Sequence, residues 1–128
     1  MYEEKKLKCF FKGQSIDKSF LCAMRGIWYL FLCHKNMRTI FLLGILVFLS
    51  GLYFNLKGIE LVALCITVTM VFMAEIINTS VEMLMDIISE EYNLKIKLLK
   101  DISAGIVLIA CLNALAIGYI FFIRKFFI

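Results

Sequence analysis

The sequence lacks the features on which soluble enzymes and small secreted proteins usually depend. Its 128 residues include no proline and one histidine, and only 19% are charged. The five cysteines form no CxxC pair, so neither a zinc site nor a disulfide framework is indicated. No GxxxxGK[ST] or GxGxxG loop occurs either. Any nucleotide chemistry would therefore use a scaffold different from that of the common soluble kinases.

Hydrophobic residues are in excess, at 62% of the chain against roughly 45–50% in a soluble protein. A chain this short cannot bury so much apolar surface in water. Three runs, residues 39–56, 61–81 and 102–123, approach the roughly 20 residues with which a helix crosses a bilayer. The sequence predicts an all-α membrane protein with three transmembrane helices, the second extending to about residue 89.

The segment before the first run predicts an amphipathic helix on the membrane surface, over residues 15–35. Apolar side chains recur there at helical spacing. Residues 1–14 form a basic arm, and residues 15–128 a single membrane domain. Eight of the fourteen Lys and Arg residues precede residue 39, which indicates a cytoplasmic N-terminus in contact with anionic membrane lipids. No recognition motif accompanies this charge, so nucleic acid is not an expected partner.

The second run carries a polar stripe. Glu75, Asn78, Glu82 and Asp86 stand at positions i, i+3, i+7 and i+11, within about 80° on one helical face. An ionisable residue inside a span costs at least about 2.5 kcal/mol, which is normally tolerated for function. The stripe indicates a divalent metal, above all magnesium, or a proton relay. The plainer interpretations are a solvated helix end for Glu82 and Asp86, and interhelical hydrogen bonding for Asn78.

Two further patterns belong to the third run. Lys97, Lys100 and Asp101 immediately precede it, and ammonium groups near a helix N-terminus suit a phosphate. Lysines at a span boundary are also common topology markers. Within the run, Ala110, Ala114 and Gly118 repeat every four residues and predict a face for close helix packing.

The segments AEIINTSVEMLMD, EEYN and KDISAGIVL together resemble the bacterial diacylglycerol kinase and undecaprenol kinase family, whose pattern is E-x-x-N-[ST]-x-[IV]-E-x-x-x-D. The likeness extends from about Ser19 to Ile123. It implies a Mg²⁺-dependent integral-membrane kinase that transfers the γ-phosphate of ATP to a lipid alcohol, either diacylglycerol or undecaprenol. It also implies a homotrimer with shared sites in the bacterial inner membrane, with the active site on the cytoplasmic side.

The resemblance assigns roles to matching residues. Glu75 matches the base that takes the proton from the lipid hydroxyl, and Asn78 the amide that positions the reacting groups. Glu82 matches a magnesium ligand that also reaches the ATP phosphates. The remaining nucleotide contacts that it implies are Glu91, Tyr92, Asn93, Lys100 and Asp101.

One position departs from the family. A second metal-binding glutamate is expected in the amphipathic helix, and its place is taken by His34. Imidazole is a poor magnesium ligand, since Mg²⁺ prefers hard oxygen donors. This motivates an alternative, a non-catalytic membrane protein of the same fold that binds nucleotide or lipid. A carboxylate-based proton-coupled or ion-coupled transporter is a third hypothesis, but it leaves Lys100 and Asp101 without a role.

Overall fold

The computed structural model describes residues 15–127, and four helices account for most of them. They are α1 (Ile16–Cys33), α2 (Lys35–Tyr53), α3 (Ile59–Ile88) and α4 (Leu94–Phe127). No strand occurs in residues 15–127, so the all-α prediction is confirmed. The last three helices are long and apolar enough to cross a membrane, and the chain is an integral membrane protein. The predicted basic arm, residues 1–14, lies outside the described residues.

The chain divides into two compact units, at residues 35 and 36. The described part of the first unit is essentially α1, which has no buried residue. Ile16, Phe20 and Trp28 are 88%, 67% and 66% exposed. A helix with such an exposed apolar stripe is typical of the membrane interface.

The second unit contains α2, α3 and α4, and its first turn explains where α2 ends. Asn55 has a left-handed backbone, with φ of 55°. The Leu56 N–H donates to the Gly51 carbonyl (2.9 Å), and the Asn55 N–H to the Leu52 carbonyl (3.0 Å). This pair of bonds is the Schellman motif, which terminates helices while satisfying their last carbonyls. The helix therefore ends at Tyr53, three residues before the apolar run ends at residue 56.

The second connection is shorter than the sequence indicates. The third apolar run begins only at residue 102, so the sequence predicts a connection over residues 90–101, but α4 begins at Leu94. The Asn93 side-chain oxygen accepts the Lys95 N–H at 2.9 Å, and its backbone carbonyl accepts the Lys97 N–H at 3.0 Å. Asparagine is among the best N-cap residues, because it satisfies an N–H that the helix cannot. The lysines before the third apolar run consequently lie on a helix and not in a loop.

Two glycines of α2 leave room for side chains of α3. A Cβ added at Gly44 would lie 2.9 Å from Val68 Cγ1, and one at Gly51 would lie 2.7 Å from Leu64 Cδ2. The small-residue face predicted on α4 behaves differently. A Cβ at Gly118 would meet no atom within 4 Å, so close helix packing is not found at that position.

The end of α4 is fastened to the turn between α2 and α3. Lys125 Nζ donates to the Asn55 carbonyl at 3.2 Å and lies 3.9 Å from Glu60 Oε2. The rings of Phe54 and Phe122 meet edge to face, with centroids 5.4 Å apart. These contacts close the bundle at the end opposite the connection between α3 and α4.

We expect Gly51→Leu to destabilise the bundle by about 1–3 kcal/mol, since Leu64 is 2% exposed and overpacking of a filled core costs this much. Gly105→Leu is the matched control, because a Cβ there meets nothing within 4 Å. Denaturant titration in detergent micelles, followed by circular dichroism, measures both. Equal stability of the two variants would contradict the packing of the Leu64 side chain against Gly51.

Candidate functional site

The polar stripe of α3 changes character along its length. Glu75 and Asn78 are 5% and 9% exposed, and Thr79 is 3% exposed. Glu82 and Asp86, one and two turns further on, are exposed. Every buried side-chain nitrogen or oxygen in the described chain has a hydrogen-bond partner. The stripe thus begins inside the protein and ends in the open, as expected for a helix that leaves the membrane.

Asn78 is at the centre of a hydrogen-bonded network that joins α3 to α4. Ser103 Oγ donates to Asn78 Oδ1 at 2.8 Å and also lies 2.8 Å from the Lys100 carbonyl oxygen. Asn78 Nδ2 donates to Glu82 Oε1 at 3.5 Å, a long contact. The amide oxygen is therefore engaged by α4, which directs the amide hydrogens along the stripe toward Glu82.

Ser103 was not predicted as a site residue. It is 3% exposed, and it lies one helical turn beyond Lys100, on the same face of α4. The sequence offers one signal for it, because Ser103 stands within an apolar run, three residues after Lys100. Nothing in the sequence pairs it with Asn78, which stands 25 positions earlier.

An ion pair links the exposed ends of the same two helices. Lys100 Nζ lies 2.6 Å from Asp86 Oδ1, and the side chains are 37% and 69% exposed. Solvent screens such a pair, which therefore contributes little to stability. Its consequence is geometric, because it holds the Lys100 ammonium beside the end of the stripe. Asp101, the neighbour of Lys100, lies exposed on the surface of α4.

A cleft of about 750 Å³ opens at this end of the bundle, within the roughly 300–1,000 Å³ typical of ligand pockets. It contains four of the predicted nucleotide contacts but neither Glu82 nor Asp101. Three carboxylates and two ammonium groups face it, a mixture that suits a metal-bound polyphosphate better than a bare one. Its walls are formed by Asp86, Ser89, Glu90, Glu91, Tyr92, Asn93, Ile96, Lys97 and Lys100.

Helix α3 connects this cleft to the buried carboxylate. Asp86 lies in the cleft wall, and Glu75 stands eleven positions earlier on the helix, about 16 Å away along the axis. Asn78 and Glu82 lie between them on the same face. A molecule bound in the cleft and extended along α3 would reach Glu75 past these two side chains.

Residues 15–127 contain no group of three or more His, Cys, Asp or Glu side chains arranged to hold a metal ion. Mg²⁺ does not require one, because it commonly binds through one or two carboxylates together with phosphates and water. Glu82 fits that requirement. His34 belongs to the α1 unit. Its backbone N–H donates to the Leu30 carbonyl at 3.0 Å, and the centroid of its ring lies 6.3 Å from that of the Tyr29 ring.

Comparison with known proteins gives consistent results. Residues 21–122 match the profile of the prokaryotic diacylglycerol kinase family. The chain is 31% identical over 101 residues to a diacylglycerol kinase of Synechocystis sp., covering 78% of this chain and 58% of that protein. It is 29% identical over 108 residues to an undecaprenol kinase of Bacillus subtilis, covering 84% and 88% respectively. The chain thus spans less than two thirds of the first relative and most of the second.

We expect Ser103→Ala to cost about 1–3 kcal/mol of stability, because the buried Asn78 oxygen loses its donor. Ser80→Ala is the control: Ser80 is exposed and bonds only its own helix, donating to the Ile76 carbonyl at 2.8 Å. Unfolding in micelles measures the difference. A Ser103→Ala variant as stable as Ser80→Ala would mean that the hydrogen bond from Ser103 to Asn78 does not contribute to the free energy of unfolding.

Proposed function

The chain belongs to the prokaryotic diacylglycerol kinase family, and on this premise we propose that it is an integral-membrane lipid kinase. It transfers the γ-phosphate of ATP to the hydroxyl of a lipid alcohol. The observation that carries the proposal is the arrangement along α3, where an open cleft at the helix end is aligned with a carboxylate that is 5% exposed. The cleft takes the nucleotide, and the buried end faces the lipid.

The cleft and the residues beside it bind ATP. The ion pair with Asp86, at 2.6 Å, keeps the Lys100 ammonium at the cleft, where it can contact the phosphates. Tyr92 is 79% exposed and lies in the cleft wall, where its ring offers a flat surface to the base. Glu91, Asn93 and, just outside the cleft, Asp101 complete the proposed nucleotide contacts.

Glu82 would hold Mg²⁺ together with phosphate oxygens and water, and the bound metal would neutralise phosphate charge. Phosphoryl transfer needs little more than positioning and charge neutralisation. Asn78 orients Glu82 through its amide hydrogens, while Ser103 fixes the amide from the other side.

Glu75 acts as the general base. As the lipid oxygen forms its bond to the γ-phosphorus, the bond from that phosphorus to the bridging oxygen of ADP breaks, and the hydroxyl proton passes to the Glu75 carboxylate. The products are the lipid phosphate and ADP. Because Glu75 is 5% exposed, the protein around it keeps competing water away from this transfer.

The acceptor is diacylglycerol or undecaprenol. Both are alcohols whose hydroxyl lies near the membrane surface while their chains lie in the hydrocarbon. Relatives named for each alcohol are about equally similar to this chain, at 31% and 29% identity.

We place the protein in the bacterial cytoplasmic membrane, with the N-terminus and the active site on the cytoplasmic side. The basic N-terminal region and Lys95, Lys97 and Lys100 support this orientation through the positive-inside rule. Lys125 then lies on the outer side. A positive charge on that side runs against the positive-inside rule. The contacts of Lys125 with Glu60 and with the Asn55 carbonyl offset part of this charge.

A homotrimer with sites shared between subunits is part of the proposal. Asn113 supports it, because this residue is exposed in the middle of α4 and an amide at that depth gains from a partner on another helix.

The second candidate is a non-catalytic protein that binds nucleotide or lipid on the same fold. Its basis is His34, which stands where the family has a metal-binding glutamate. An assay in mixed micelles separates the two candidates. ATP, Mg²⁺ and either diacylglycerol or undecaprenol are supplied in parallel, and phosphorylated lipid is measured. Product in one arm supports the kinase and identifies its acceptor; no product from folded protein in either arm supports binding alone.

We expect Glu75→Gln to lower turnover by about 10²–10⁴-fold, the usual contribution of a general base. ATP binding, measured by equilibrium titration, should remain unchanged because the cleft is untouched. Thr79→Val, also at a buried position of α3, controls for disturbance of the bundle. Full activity of Glu75→Gln would exclude Glu75 as the base.

We expect His34→Glu to raise the Mg²⁺-dependent rate at low Mg²⁺, because it restores a hard oxygen ligand. The rate is measured as a function of Mg²⁺ concentration, with His34→Gln as a control of similar size that lacks the charge. An identical Mg²⁺ dependence in all three proteins would show that position 34 does not limit metal binding.

A further inference from the structure

The ion pair between Asp86 and Lys100 neutralises this ammonium group before any nucleotide arrives. Lys100 Nζ lies 2.6 Å from Asp86 Oδ1, and both residues line the cleft. The Asp86 side chain is 69% exposed, so its carboxylate is accessible to a molecule bound there. Asp86 is thus the member of the polar stripe that lies closest to the nucleotide cleft and shares its charge with a proposed phosphate contact.

The charges around the cleft do not favour a bare polyphosphate. Three carboxylates and two ammonium groups line it, which leaves one negative charge in excess: Asp86, Glu90 and Glu91 against Lys97 and Lys100. A free nucleoside triphosphate is itself strongly negative, and like charges brought together across a binding surface oppose binding. A nucleotide that carries a divalent cation brings positive charge into the same space.

Asp86 stands one helical turn from the proposed Mg²⁺ ligand. Glu82 and Asp86 are four positions apart on α3, so their Cβ atoms are about 5–6 Å apart on one face. Asn78 donates to Glu82 Oε1, which keeps the Glu82 carboxylate on the stripe. A cation held between Glu82 and the phosphate oxygens would therefore lie about one turn from the Asp86 carboxylate.

We propose that Asp86 determines the specificity for the nucleotide, by admitting the Mg²⁺-bound form and repelling the free form. In the free protein the counter-ion of Asp86 is Lys100. When phosphate oxygens contact the Lys100 ammonium, its single positive charge no longer neutralises Asp86 alone. A nucleotide-bound cation then replaces it as the counter-ion, whereas a free nucleotide leaves the carboxylate facing phosphate charge. The inference rests on the proposed function, because it takes the cleft as the nucleotide site.

Specificity of this kind is a difference between two affinities, and an unpaired charge set against the wrong ligand is one way to create it. If Asp86 only held Lys100 at the cleft, its loss would weaken binding of both nucleotide forms by the same factor, because the ammonium contacts phosphate in both. If Asp86 selects by charge, its loss changes the ratio of the two affinities. That ratio therefore separates selection from simple positioning.

Equilibrium titration of the full-length protein in micelles measures this ratio without turnover. The probe is an ATP analogue with a methylene group between the β- and γ-phosphorus atoms, added with excess Mg²⁺ or with EDTA. We expect Asp86→Asn to lower the ratio of Mg²⁺-bound to free affinity about tenfold, chiefly through tighter binding of the free analogue. Asp86→Glu keeps the charge and should keep the wild-type ratio. An unchanged ratio in Asp86→Asn would overturn the proposal, even if both affinities fell.

A double-mutant cycle tests the exchange of partners at Lys100. Lys100→Met is made alone and together with Asp86→Asn, and binding of the free analogue is compared. We expect Asp86→Asn to strengthen this binding several-fold more in the presence of Lys100 than in its absence, because only then is an ion pair given up. Glu90→Gln, which removes another carboxylate of the cleft, is the matched control and should have the same effect in both backgrounds. Additive effects of Asp86→Asn and Lys100→Met would contradict the exchange.

Folding does not limit these variants, since a solvent-exposed ion pair contributes little to stability, and circular dichroism in micelles checks each one. The results also separate this inference from the kinase proposal. Nucleotide selection that depends on Asp86, without any phosphorylated lipid, would sink the kinase and leave the inference standing. Phosphorylated lipid with an unchanged affinity ratio in Asp86→Asn would sink the inference alone. No binding of either nucleotide form by the folded wild type would overturn both.

Discussion

The hydrogen bond from Ser103 to Asn78 is the contact on which the arrangement of the site depends. Both side chains lie inside an apolar bundle, at 3% and 9% exposure, where a polar group without a partner costs several kcal/mol. Each is satisfied by the other across the interface of α3 and α4, which fixes the rotation of the two helices about their axes. That rotation in turn places Lys100 within 2.6 Å of Asp86 and forms the cleft where the two helices end.

The same interface separates two environments that the proposed reaction must join. The end of α3 near Asp86 is exposed and carries charge of both signs, whereas Glu75 is buried a few turns away. A soluble kinase builds a pocket that closes over both substrates. In this protein the single helix α3 can present an exposed carboxylate to water and a buried one to the lipid, because a rise of about 1.5 Å per residue spaces its side chains regularly along the axis.

Glycine has two different effects in this bundle. At Gly44 and Gly51 the missing side chain makes room for Val68 and Leu64 of α3, since an added Cβ would lie under 3 Å from their side chains. At Gly118 the missing side chain leaves space that no other helix of residues 15–127 fills. The repeat of small residues looked like a packing motif in the sequence, but its effect depends on the distance of the facing helix.

Much of the fold was determined by the sequence alone, because crossing a bilayer as a helix requires an apolar run of a certain length and the chain has three. The stripe from Glu75 to Asp86 was equally predictable, since helical periodicity puts these positions on one face whatever surrounds them. The tertiary structure decided the rest: the hydrogen bond of Ser103 with Asn78, the ion pair of Lys100 with Asp86, and the open space beside Gly118. These depend on contacts between residues distant in the chain, and local periodicity contains no information about which faces of two helices meet. The start of α4 at Leu94 was only partly predictable. The Asn93 cap is a local feature that the sequence contains, but the apolar run that begins at Ile102 is a stronger signal and suggests a later start of the helix.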